Sequence, residues 1–280
     1  MPQLAALRHF STAPLWKRIL AFLGFLILFL LLLSLVVPRV IPNSLAAGIV
    51  MTLSFYLVFM VCLRLWGRSV HGIPAVFRYY GLGWNRANGR DFLVGLGLGL
   101  AIVAFLFYMQ GLVGWLRWQI DVERIPALVA QGALLGIWIG FAEELLFRGW
   151  LLDEMGRDLS PSRAVWGSAI IFAVLHFLKP LDVILQTLPQ FVGLMLLGVV
   201  LAVTKQRTRQ LGLAIGLHGG LVWGYYLVDV GDWVEYGDRI SPWITGINNN
   251  PLAGAIGIIA LVVLWQAMRR YPQPTKGDHN

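Results

Sequence analysis

The chain has 280 residues, of which 58% are hydrophobic and only 13% charged, and its mean hydropathy is +0.72. Ordinary soluble domains are roughly 45–50% apolar, so this composition predicts an all-α, polytopic transmembrane helical bundle with no long polar stretch left for a separate soluble domain. A lone cysteine, Cys62, excludes an internal disulfide and a cysteine-built metal cage, and the net charge of +8 comes from basic residues at the ends of apolar runs, which suits anionic lipid headgroups rather than nucleic acid.

A helix that crosses a bilayer needs roughly 20 mostly apolar residues at about 1.5 Å of rise each. About eight spans are expected. The first, Ile19 to Val37, follows a short cytoplasmic segment over residues 1–18 and is too long for the core of a cleaved signal peptide, so it reads as retained. Leu45 to Leu63 and Phe92 to Leu116 complete an N-terminal group over 19–124. Between those two, "FRYYGLGWNR" mixes aromatic and basic residues as an interfacial anchor does. Ile125 to about Leu152, Pro161 to Leu178, Val183 to Val203 and Leu211 to Val228 form a central group over 125–230. An outer loop, a last span from Leu252 to Met268 and a polar tail fill 231–280.

Positive residues stay on the cytoplasmic side of a membrane. Of the 22 Lys and Arg, only Arg39, Arg117, Arg124, Lys179 and Arg239 fall in the odd-numbered loops; the rest, Arg148 included, fall at the termini and in the even-numbered loops. Both termini are therefore expected in the cytoplasm. The last outer loop carries Asp229, Asp232, Glu235 and Asp238. "GLGLG" at 95–99 lies inside a span and is no phosphate loop. Gly95 with Gly99, and Gly136 with Gly140, have instead the four-residue spacing that lets two helices approach closely.

Ionisable groups inside spans cost about 2.5–3.5 kcal/mol each on insertion scales and usually point into the bundle, where they pair or do chemistry. Glu143, Glu144 and Arg148 on the fourth span, His176 on the fifth and His218 on the seventh stand out. Glu144 precedes Arg148 by four residues, the favourable order for a helical ion pair, so it reads as a structural partner. Glu143 lies about 100° around the helix and needs a partner from elsewhere. The stretch "EMGRDLSPSRA" predicts a hairpin, with Gly156 as C-cap, Ser160 as N-cap and Pro161 in the first turn. Counted from that hairpin, Glu143 and His176 come to the same level within one turn, while His218 sits shallower in its span. A glutamate in such a place can take a proton from water as a general base, His176 can hold the same water, and His218 can donate to an oxyanion. The chemistry this suggests is peptide hydrolysis in the membrane. The same Glu143, His176 and His218 would equally serve as ligands to zinc, and sequence does not separate the two.

Together these segments resemble the family of CAAX-processing and bacteriocin-processing membrane proteases, the CPBP or Abi family. Its first motif appears as Glu143, Glu144 and Arg148 in "EELLFR", its second as Phe172 and His176 in "FAVLH", and half of its third as His218 in "HGGLVW". Val222 stands where that third motif has a polar residue. The resemblance covers about Ile125 to Val228. It implies an intramembrane endopeptidase acting on membrane-associated peptides or proteins, prenylated or leader-type, with Glu143 and His176 activating water and His218 assisting the oxyanion. Trp223, a backbone amide near Gly219 and Gly220, or Asn248 is the expected stand-in for the donor that Val222 lacks. Two rival readings stay open: a proton-coupled transporter using Glu143 and His176 as a relay, and a non-catalytic scaffold of the same fold.

Overall fold

The computed structural model describes residues 6–178, 180–188, 190–237, 240–247 and 250–273, and it forms two compact units that divide between Tyr79 and Tyr80. In the first unit, α1 (Leu15–Val40) and α2 (Ser44–Ser69) pack on each other, and the four-residue α3 (Val76–Tyr79) follows. The Asn43 side chain accepts the Ala46 N–H at 2.9 Å and so starts α2. Phe22 and Trp66 meet edge to face at 5.4 Å.

The second unit holds α4 (Arg86–Leu112), α5 (Ile125–Glu144), α6 (Leu152–Asp158), α7 (Pro161–Leu175), α8 (Leu181–Thr187), α9 (Gln190–Thr208), α10 (Gly212–Asp229), α11 (Pro242–Thr245) and α12 (Ala255–Arg270). A two-stranded antiparallel ribbon, β1 (Leu116–Trp118) with β2 (Val234–Tyr236), follows α4 and α10. Helix α10 lies at the centre, and its glycines explain why. A Cβ on Gly216 or Gly220 would run into the backbone of α4, at the carbonyls of Phe92 and Leu96. On another side of α10, Gly219 meets Gly136 of α5. The partners answer in kind, since Gly95 and Gly99 of α4 lie against Leu213 and Leu217, and Gly140 of α5 against Ile215. In lipid, where burying apolar surface brings helices no advantage, such close contact is what holds them together. Both expected glycine pairs therefore work as helix interfaces.

Several boundaries differ from the sequence reading. Five helical stretches among the described residues are long and apolar enough to cross a membrane: Leu15–Val40, Ala46–Ser69, Arg86–Leu112, Val122–Asp158 and Gln190–Thr208. The other three expected spans are helical but short, 15 residues in α7 and 16 in α12, or diluted by glycine and His218 in α10. The third span begins at Arg86, where Asn85 caps it, and Leu116 already belongs to a strand. The sixth is two helices, α8 and α9; the sequence puts Pro189 between them, and proline cannot donate the bond that would continue a helix. Gly156 lies inside α6, and the hairpin turns at Leu159, whose backbone is extended, before Ser160 and Pro161 open α7 as expected. Helix α4, grouped by sequence with the N-terminal spans, packs within the second unit. Lys179, Asp238, Arg239, Asn248 and the tail beyond Gln273 lie outside the described residues.

Candidate active site

Between α5 and α6 the chain makes a wide π-helical turn, Leu145–Leu151, in which Leu152 N–H bonds the carbonyl of Phe147. Such turns are rare and gather at functional sites. This one begins directly after Glu143 and Glu144. Its side chains Leu145, Phe147, Arg148, Trp150 and Leu151 are all buried. Arg148, counted from sequence among the cytoplasmic loop cations, is thus no loop residue: its side chain is 0% exposed. A charge so deep needs a partner, and Arg148 donates to Glu144 Oε1 at 2.7 Å and to the Gly198 carbonyl of α9 at 3.4 Å.

The same Glu144 Oε1 accepts from His218 Nδ1 at 2.8 Å. Glu144 is therefore shared between a helical ion pair and the central helix, a second role that sequence spacing alone did not reveal. Because the Glu144 carboxylate beside Arg148 can only accept, the Nδ1 proton of His218 is committed to it. His176 behaves likewise. It ends α7 as the C-cap, and its Nδ1 donates to the Phe172 carbonyl at 2.7 Å. In both neutral rings Nε2 is then the nitrogen with the lone pair.

Both Nε2 atoms face Glu143. His176 Nε2 stands 3.7 Å from Glu143 Oε2 and His218 Nε2 stands 3.9 Å from it. These separations exceed a direct hydrogen bond, and Glu143 Oε2 is buried with no partner of its own among the described residues. The structure thus brings together an acid from α5, an imidazole at the end of α7 and an imidazole from α10. Phe172 organises them: the Arg148 guanidinium lies 4.3 Å over its ring, Phe147 meets it edge to face at 5.0 Å, and the rings of His176 and His218 lie 4.5 and 6.1 Å away.

Glu143, His176 and His218 open onto one cavity of about 350 Å³. Its wall is mostly apolar, and Val222 is part of it. The third-motif position therefore does face the cavity, with a side chain that cannot donate. Of the expected stand-ins, Trp223 packs on Gly132 of α5 and is not in the wall, Gly219 is taken up by the α5 contact, and Asn248 lies outside the described residues. Sequence reasoning missed three polar wall residues, Gln190, Tyr225 and Asn250. Only Asn250 carried a local signal, since Asn before Pro marks a turn. Among the described residues no three His, Cys, Asp or Glu side chains are spaced to hold a metal ion, so no step below runs through zinc.

Residues 125–224 match the model of a family described as Rce1-like, type II CAAX prenyl endopeptidase. This segment is an Rce1-like domain. No curated protein and no solved structure matches the chain. The Rce1-like domain begins at the first residue of α5 and ends inside α10, so it contains all three cavity-facing ionisable groups and the π turn. It belongs to the CAAX-processing protease family that the three motifs resemble, carried by an integral membrane protein of helical spans.

Proposed function

We propose that the protein is an intramembrane endopeptidase that hydrolyses peptide bonds of membrane-associated substrates, prenylated or leader-type, with water activated between Glu143 and His176. The observation that carries this reading is the convergence of Glu143 Oε2 with two imidazole Nε2 atoms at 3.7 and 3.9 Å in one cavity. A gap of that size suits a water bridging the carboxylate and His176. Glu143 takes a proton from this water as its oxygen bonds to the scissile carbonyl carbon. The carbonyl oxygen becomes an oxyanion, the C–N bond then breaks, and the proton held by Glu143 passes to the departing amine. A free acid and a free amine result. His218 faces the same space and donates to the oxyanion when it carries a proton on Nε2 as well as on Nδ1, with Glu144 as its counter-charge. Glu144, Arg148 and Phe172 hold the arrangement together. The distribution of Lys and Arg supports a cytoplasmic location for both termini, and the lipid bilayer, not nucleic acid, is the partner of the basic residues.

The test is cleavage by purified protein of a farnesylated CAAX peptide and of an unprenylated peptide library, beside Glu143→Ala and His176→Ala. Both variants are expected to remain folded and lose cleavage; equal activity in all three sinks the hydrolase reading. Absence of cleavage by the native chain on every peptide would favour a scaffold of the same fold, a reading that Val222 in the cavity wall supports. Loss of activity on adding a chelator, restored by zinc, would replace glutamate-activated water with a metal-held one.

A further inference from the structure

An oxyanion needs hydrogen-bond donors, and the groups that face the cavity are chiefly acceptors. Glu143 Oε2 has no proton to give as a base, and the Nδ1 protons of His176 and His218 are spent on the Phe172 carbonyl and on Glu144. In their neutral state both rings therefore present lone pairs. Val222 offers nothing. Three other polar side chains line the wall. The Tyr225 hydroxyl donates to Asp229 at 3.1 Å, and Gln190 Nε2 donates to the Ile247 carbonyl at 3.2 Å.

Asn250 differs from both. Its Oδ1 accepts the Leu252 N–H at 3.0 Å, which fixes which end of the amide is oxygen and leaves both Nδ2 hydrogens as donors. Its backbone is equally settled: the N–H bonds Ile247 and the carbonyl accepts from Ala253. The 3₁₀ turn that follows, Pro251–Ala253, is seated directly on α9, where a Cβ on Gly193 would strike the Leu252 carbonyl. Asn250 is thus a rigidly mounted amide on the same cavity as Val222, His218 and Glu143.

We infer that Asn250 is a catalytic residue of this site: its side-chain Nδ2 donates to the oxygen of the scissile carbonyl and supplies the polar group that position 222 lacks. The inference rests on the endopeptidase reading above. An amide donor serves whatever the charge on His218, so the oxyanion is held even when that ring is neutral.

The experiment measures kcat and KM on a fluorogenic reporter peptide that the native protein cleaves. Asn250→Asp and Asn250→Ser both keep an oxygen able to cap Leu252 N–H; the first has no donor and the second is too short to reach. Losing one oxyanion donor costs about 10²–10³ in kcat, so kcat should fall by about that factor in both variants, with KM and melting temperature little changed. Adding Val222→Asn to Asn250→Ser should restore part of the loss by putting a donor back on α10. Unaltered kcat in both variants, or a loss seen only in KM or in melting temperature, overturns the role for Asn250 while leaving the endopeptidase reading intact. Failure of that reading is visible separately, as a native protein no more active than Glu143→Ala.

Discussion

Helices α1 and α9 differ in a way that hydropathy alone would reverse. The first is the most hydrophobic stretch of the chain, yet only 11% of its most apolar window is buried; α9 is the least hydrophobic of the five long spans and 50% of its window is buried. The same contrast separates the two compact units. Leu28, Leu31, Leu32 and Leu35 of α1 are exposed, while α10, built on glycine, alanine and His218, is buried almost without interruption from Gly212 to Leu221. Apolar side chains can face lipid at no cost, so in a membrane they do not mark the interior. Small residues and paired charges do.

The largest effect that would sharpen this contrast concerns the charges. Glu143→Gln keeps the size of the side chain and removes the base, and cleavage of a reporter peptide should fall by about 10²–10⁴ with the thermal unfolding curve unmoved. Arg148→Ala should act the other way. It leaves Glu144 buried with one partner fewer, and breaking such a pair costs about 3–5 kcal/mol, which unfolding in detergent would register. Next comes close packing: Gly216→Ala sets a methyl against the Phe92 carbonyl, and overpacking of this kind costs about 1–3 kcal/mol. The smallest effect belongs to the first unit. A Cβ on Gly24 of α1 meets nothing within 4 Å, so Gly24→Ala should raise the melting temperature slightly, since glycine inside a helix is about 0.5–1 kcal/mol worse than alanine. Were Gly24→Ala and Gly216→Ala to move stability in the same direction, the contrast between the units would collapse.

What could be read without coordinates follows the same division. The apolar runs announced the helices because a bilayer imposes a length, and the glycine pairs announced their interfaces because four-residue spacing lines up one face. The partnership of Glu143 with His176 was legible because both could be counted from one hairpin. His218 looked too shallow by that counting, and its contact with Glu144 depends on α10 lying unusually close to α5 through Gly219 and Gly136, which no count along one helix contains. The π turn was invisible because "LLFRGWL" has ordinary helical composition, and the early start of α4 because "RANGR" is polar. Asn250 was missed for a different reason: its importance comes from what Val222 lacks on another helix, a relation between distant positions.

The wide turn at Leu145–Leu151 has one more implication. It accommodates one residue beyond what a regular helix of the same rise would use, so that segment is sensitive to length more than to composition. Deleting a single residue there would let the backbone relax into uniform coiling, and everything downstream would swing by about 100°. Trp150 and Leu151, now sealed inside, would rotate outward while Glu143 stayed where it is. A library of one-residue deletions across this helix should therefore reveal a narrow intolerant window beginning just past the two glutamates.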